Sequence, residues 1–495
     1  MRGGGTEIAR AGATLLAAGA VLAASGCGSD PPTLGAETLH FHSRPDLTPP
    51  VVTVTTSKPG QAAGYILIAP KQHAIEKGPE IVDDTGQPVW FGPVAEQATD
   101  FRVQSYEGEP VLTWWEGPPT APVSGSGVGH GVIADSSYQE IAEVNASFGP
   151  ETTDLHEFQL TPQGTALLSA YRVVPADLAP VGGAANGKAV DCVVEEIDVS
   201  TGRVLFTWHS VGHIPITDSY LPPPPKTGKG SNVAYDYFHV NSVDEEANGD
   251  LLISARNTHA VYEIDKKTGA VLWTLGGKHS SFAMGPGTTF AWQHDARRQS
   301  DGTITVFDDE SAPAVGKQSR AIRLRLDLKT KTATLVDSFA DGTLAGSQGN
   351  VQVLPNGDTF VGWGAVPRVT EFSPTGKIVF DATFTKGDDS YRAYRFPWTG
   401  MPVTRPAIAV AKAGGGTATV YASWNGATEV KSWRIVGGFN SENLAPVGAP
   451  VARSGFETTL TAKTDDPYLA VEALGADGDV LGRSAAVTRG SLAMG

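Results

Sequence analysis

Residues 239–256 read HVNSVDEEANGDLLISAR, and residues 262–275 read YEIDKKTGAVLWTL. Each is an apolar strand, a turn carrying Gly, Asn or Asp, and a second strand, with side chains alternating at period two. Both kinds of hairpin recur. The second kind returns as EIVDDTGQPVWF, GVIADSSYQEIAEV, EEIDVSTGRVLFTW, RLDLKTKTATLVDSF and TEFSPTGKIVFDATF, with turns near Gly86, Tyr138, Gly202, Gly269, Lys331 and Gly376 across the set. Between them stand FRVQSYEGEPVLTWW, HEFQLTPQGTALLSAY, HDARRQSDGTITVFDD and NVQVLPNGDTFVGWG, and GYILIAP at 64–70 supplies a strand for the first unit. Two hairpins make a four-stranded unit, and such units in series are the signature of propeller blades. The expected fold is all-β, a six-bladed β-propeller over residues 61–400. A helical solenoid would need a 3.6-residue period, and a sandwich array would not keep two hairpin types in strict order.

The flanks read differently. Residues 401–495 form short alternating strands resembling an immunoglobulin or fibronectin type III β-sandwich, with Trp424 and Tyr468 as expected core aromatics. Residues 28–60, rich in proline, read as a tether. Residues 1–27 run from Arg2 and Arg10 through ATLLAAGAVLAAS to Gly26-Cys27, the pattern of a secretory signal peptide. Its end resembles a bacterial lipobox, with Ala24 where leucine is preferred, so Cys27 is the expected lipidation site and a lipid anchor to the membrane is expected. The chain is therefore expected outside the cytoplasm, as a cell-envelope lipoprotein or a secreted protein. The other cysteine, Cys192, lies in a strand-like run and reads as a small buried apolar residue.

A net charge of −16 argues against nucleic acid as a partner and against anionic membrane surfaces. It also repels anionic ligands at long range, so an anion site here needs local cations. The longest interruption of the repeat, residues 208–236, contains PPPP and ends just before His239. A long loop at that place is expected to overhang the site as a lid or wall.

Three hairpins begin at or near a histidine: His156, His239 and His294. Equivalent positions of a repeat converge in space, so these imidazoles are expected to face one another. The corresponding places in other repeats hold Phe101 or Arg102, and Asn350, so the fold itself does not demand histidine there. Arg256 closes the hairpin that His239 opens. A guanidinium repels a divalent metal and offers a planar fork of donors to an oxyanion, leaving neutral imidazoles to act as base or nucleophile. No metal and no cofactor is expected. Asn241 and Gln293 are candidate neutral donors to the bound anion, and Asp295 a candidate to fix an imidazole tautomer. Trp115, Trp292 and Trp363 are candidate walls of an aryl pocket. Two other classes remain open on the residues alone. One is a lactonase-like metallohydrolase in which the histidines join Asp154, Asp236 and Asp295, and the other is a non-catalytic surface-binding propeller. A sialidase is disfavoured, because no S-x-D-x-G-x-x-W box occurs.

His156, the FHVNS around His239, the ISAR ending at Arg256, the QHDAR around His294, the LGG after Trp273 and GNVQVLPNGDTFVGWG together resemble the arylsulfotransferase family. That resemblance implies a six-bladed propeller that moves a sulfuryl group from an aryl sulfate to a phenolic acceptor without a nucleotide donor. It implies His294 as the transiently sulfated histidine, His239 and His156 as the histidines flanking the sulfuryl and phenol oxygens, and Arg256 as the sulfate-holding arginine. The chain lacks the amino-terminal sandwich and disulfide pair of the enterobacterial enzymes and is more similar to the actinobacterial and fungal branch.

Overall fold

The structure, a computed structural model, describes residues 38–72, 74–119, 125–148, 153–411 and 416–489. The expected signal peptide and Cys27 lie outside them. Among the described residues the chain is all-β; the remaining regular elements are three short 3-10 turns.

Among the described residues, 65–396 form six successive sheets, antiparallel except that Ala283–Met284 pairs parallel to Thr332–Phe339 at the edge of the fifth. The second runs Ala98–Tyr106, Glu109–Glu116, His130–Ala134 and Glu140–Val144 in simple up-and-down order. The third begins at Thr153–Leu160, the fourth at Val240–Glu245, the fifth at His294–Arg298 and the sixth at Asn350–Val353. The first is built from both ends of this region: Tyr65–Ile68, Glu80–Val82 and Pro88–Phe91 are joined by Tyr394–Phe396. Glycine supplies the left-handed backbone of the turns at Gly202, Gly269 and Gly376, with φ values of 68°, 75° and 77°, while Tyr138 and Lys331 adopt it at 65° and 54° without being glycine.

Apolar clusters hold successive sheets face to face. Trp90 of the first packs on Phe101 and Trp114 of the second. Ile133 meets Phe158 and Leu168, Val194 meets Phe238 and Ile253, Leu275 meets Val306, and Phe307 meets Val361 and Trp363. A last cluster returns from Phe360 and Phe380 of the sixth sheet to Ile66 and Val82 of the first.

A second cycle runs through the leading strands. A side chain of each accepts the backbone N–H of the next: Phe158 donates to Asp100 (3.3 Å), Val243 to Glu157 (3.1 Å), Ala296 to Ser242 (3.0 Å), Val351 to Asp295 (3.3 Å) and Ala393 to Asn350 (2.9 Å). Arg392 completes it, donating to Asp100 at 2.7 Å while also meeting Glu157 and Asp295. The equivalent positions are thus Asp100, Glu157, Ser242, Asp295, Asn350 and Arg392. Arg392 is fully buried against three carboxylates, so removing its charge strands them in low dielectric. Arg392→Met is expected to lower stability by about 3–5 kcal/mol. Chemical unfolding measures this, and a loss below about 1 kcal/mol would show that the linkage carries little.

The expected tether is partly structured. Val52–Ser57 is an outer strand of the sixth sheet, paired with Ile378–Phe384. Ahead of it, Ser43 binds Glu457 and Phe41 packs on Phe456 at 4.3 Å, because this stretch carries apolar residues with a ready surface to cover. Beyond residue 400, a three-stranded and a five-stranded sheet enclose one core of Val420, Leu460, Trp433, Ile435 and Val471. Trp424 is buried there as expected. Tyr468 is not: it sits half-exposed at the start of Tyr468–Leu474, and Trp433 fills the core instead.

Candidate active site

The cycle of hydrogen bonds fixes which residues stand one place before each link: Thr99, His156, Asn241, His294, Gly349 and Tyr391. His156 and His294 are therefore equivalent, whereas His239 stands two places earlier than its repeat position. A left-handed backbone at His239 (φ 59°) and an irregular register between Val240 and Ser242 bring its ring to the same place. A register shift between His294 and Arg297, with Asp295 at φ 53°, similarly re-aims the fifth strand.

All three imidazoles line one cavity of about 550 Å³, together with Arg256, Lys71, Gln348 and Tyr391. The His156 and His239 rings are 4.8 Å apart, edge to face. Tyr391 lies edge-on to His156 (5.4 Å) and His294 (6.3 Å), and Tyr171 stacks on His156 at 5.5 Å.

Each histidine has its own aspartate. Nδ1 of His156 meets Asp154 at 2.5 Å, Nδ1 of His239 meets Asp236 at 2.5 Å, and Nδ1 of His294 meets Asp309 at 2.8 Å. Binding through Nδ1 turns Nε2 of each ring away from its aspartate. For His294 the tautomer is fixed from both sides, because the backbone N–H of Gln348 donates to Nε2 at 3.3 Å. That nitrogen holds a lone pair, so the ring proton is on Nδ1 and points at Asp309. Burial first, then the charge of Arg256, holds the His294 imidazole well below its usual pKa, and burial pulls His156 down as well. Burial pushes the Asp309 carboxyl up, against the pull of Arg256.

Arg256 reaches the cavity because its strand returns alongside the one His239 opens, with its N–H bonded to the His239 carbonyl at 2.9 Å. Its guanidinium donates to Asn257 Oδ1 and to the Ala312 carbonyl, both at 3.1 Å, and lies over the Trp292 ring at 4.8 Å. Among the described residues no carboxylate pairs with it. Lys71 differs, being tied to Asp389 at 2.7 Å. A half-buried cation without a counter-ion, beside a neutral imidazole lone pair, is arranged to receive an anion and attack it.

A family model described as Arylsulfotransferase (ASST) matches residues 102–385, well over half of the chain. The chain belongs to the arylsulfotransferase family. No curated protein matches it in sequence. Among solved structures, it is similar to a protein of unknown function from Bacteroides caccae, at 13% identity, covering 68% of this chain and 100% of that one with a TM-score of 0.40. A virginiamycin B lyase from Staphylococcus aureus matches at 8% identity over 76% and 97% of the two chains, TM-score 0.33. The periplasmic gluconolactonase of Pseudomonas aeruginosa matches at 13% identity over 86% and 97%, TM-score 0.33.

In this arylsulfotransferase-family chain, several residues expected at the site stand elsewhere. Asn241 donates to the Gln293 carbonyl at 2.6 Å, and Gln293 donates to Ser254 and to the carbonyls of Ala255 and Ala260, so neither amide donor faces the cavity. Asp295 pairs with Arg297 at 2.8 Å and Arg392 at 3.3 Å, so it does not orient His294. Trp363 is buried against Phe307, and Trp115 backs Leu155 and Tyr391. Trp292 lies beneath Arg256. None of the three lines the cavity. The 208–236 insertion does form a wall, enclosing a second pocket that shares His239 and Arg256. Asp309, Tyr391, Lys71 and Gln348 were not singled out from sequence. Asp309 was the most accessible of these: it closes the hairpin that His294 opens, as Arg256 closes that of His239.

Proposed function

We propose that this protein is an exported aryl-sulfate sulfotransferase that passes a sulfuryl group from an aryl sulfate to a phenol by way of a sulfated His294. Residues 61–400 are read as a six-bladed β-propeller, supported by the two cycles of contacts through its sheets, and residues 401–495 as an immunoglobulin-like sandwich. The signal-peptide pattern before Cys27 supports export, with lipid attachment at that cysteine. The observation that carries the activity is Arg256, a guanidinium that meets no carboxylate among the described residues, in a cavity with three oriented imidazoles.

His294 Nε2 gives up its long 3.3 Å hydrogen bond from the Gln348 N–H and attacks sulfur, a nitrogen–sulfur bond forms, and the bond from sulfur to the phenolic oxygen breaks. Negative charge spread over the equatorial oxygens, as in phosphoryl transfer, is met by Arg256. His239 starts as an imidazolium steadied by Asp236, gives its proton to the departing phenolate, is neutral through the sulfohistidine stage, and becomes imidazolium again by taking a proton from the acceptor phenol. His156 flanks the same oxygens. The acceptor oxygen then attacks the sulfohistidine, the nitrogen–sulfur bond breaks, and His294 is regenerated.

Purified protein incubated with p-nitrophenyl sulfate and phenol, without nucleotide, is expected to release p-nitrophenol and form phenyl sulfate. Arg256→Ala is expected to lower turnover by on the order of 10²–10³-fold, the scale of one lost charge-stabilising donor set. Absence of release by the wild-type protein, or an unchanged rate in the variant, would contradict this function.

A further inference from the structure

The second pocket, about 450 Å³, has a sharp division of character. One side is Leu221, the four prolines 222–225, Val233 and Ala234; the other end is Asp236, His239, Arg256 and Asn257. The volume falls in the ordinary range for small ligands, about 300–1,000 Å³. Resting on the sulfotransferase reading, we infer that this pocket receives the aryl body of the substrate and selects extended, fused-ring phenols and their sulfates over single-ring ones.

The wall is preformed. Tyr220 donates its N–H to the Asn257 carbonyl at 2.8 Å and stacks on His259 at 4.0 Å with the rings 4° from parallel. Burial, reinforced by the charge of Arg256, brings His259 down to about pKa 4, so the ring stacks as neutral imidazole. Lys278 donates to the carbonyls of Thr217 and Ser219 at 2.8 and 2.6 Å, and Tyr235 donates its hydroxyl to the Leu221 carbonyl at 2.7 Å. Proline rings fix the backbone between these ties, so little ordering remains to oppose binding. Val233, at 58% exposure, leaves apolar surface uncovered on the lining. A ligand matching this gradient is apolar over most of its length and anionic at one end, with the bridging oxygen at His239 and the sulfuryl group at Arg256.

The test uses Val233, which touches neither the histidines nor Arg256 in the proposed chemistry. For wild type, Val233→Trp and Val233→Ala, kcat/KM is measured for 4-methylumbelliferyl sulfate and phenyl sulfate, with Tm as a check on folding. Val233→Trp is expected to lower kcat/KM for the fused-ring donor by about tenfold or more, the scale of a lost apolar fit, and for phenyl sulfate by less than about twofold. Val233→Ala, which trims the apolar wall, should lower kcat/KM for the fused-ring donor by about threefold or more and for phenyl sulfate by less. Equal losses on both donors, or none, overturn the inference. Binding of free 4-methylumbelliferone, followed by its fluorescence, requires no turnover. Wild-type binding weakened by Val233→Trp supports the pocket even if no aryl sulfate is turned over, and no wild-type binding overturns it.

Discussion

His294→Ala is expected to abolish sulfuryl transfer, with a loss on the order of 10⁴-fold or more, since the remaining groups can bind the sulfate but not accept the sulfuryl group. In the wild-type protein an aryl sulfate without acceptor should leave an adduct of SO₃ mass on the peptide containing His294, and that adduct should vanish in the variant. Full activity in His294→Ala would remove the sulfohistidine from the mechanism. The pH dependence carries a second signature. The nucleophile is the neutral imidazole, and its pKa is held well below the usual value by burial and Arg256. The donor half-reaction should therefore hold its rate as pH falls past about 6.5, the ordinary histidine value, and decline only at lower pH. A decline centred at about 6.5 would place an unperturbed histidine in the rate-determining role.

Asp309→Asn is expected to lower the donor half-reaction by about 10³–10⁴-fold with the fold retained, as when a catalytic imidazole is turned to the wrong tautomer. Asp309 accepts the Nδ1 proton of His294. An amide there can present its N–H to Nδ1 instead, which moves the ring proton to Nε2 and removes the attacking lone pair. The Gln348 N–H facing Nε2 would then oppose a second N–H. Nitrogen NMR of the imidazole reads the tautomer directly. A variant with Nε2 unprotonated and wild-type rate would show that Asp309 serves packing alone.

The hairpin repeat was legible because period-two alternation and glycine turns act locally, and the sheets from Ala98–Tyr106 to Ile378–Phe384 follow it. The gathering of His156, His239, His294 and Arg256 was legible for the same reason. The exact equivalence was not. A bulge shifts strand register without leaving a mark on hydrophobic pattern, so His239 could not be distinguished from a true counterpart of His156. Asn241 and Gln293 were misplaced because sequence does not show which backbone carbonyl an amide will find. Asp309 was open to the reasoning that placed Arg256, since each closes a hairpin that a histidine opens, whereas Tyr391 lies on no such hairpin and reaches the cavity only through the closing of the first sheet. The tether departs from its expectation because proline content does not prevent edge pairing, and Val52–Ser57 alternates well enough to pair.

The first sheet borrows Tyr394–Phe396 from the far side of the sixth, and Tyr391 and Arg392 travel with it. A chain cut before that point lacks the closing strand of its first sheet, the Tyr391 wall of the cavity and the Arg392 link among the carboxylates, however well its earlier sheets have formed. Completion of the cavity is thus tied to arrival of residues near 396, late in synthesis.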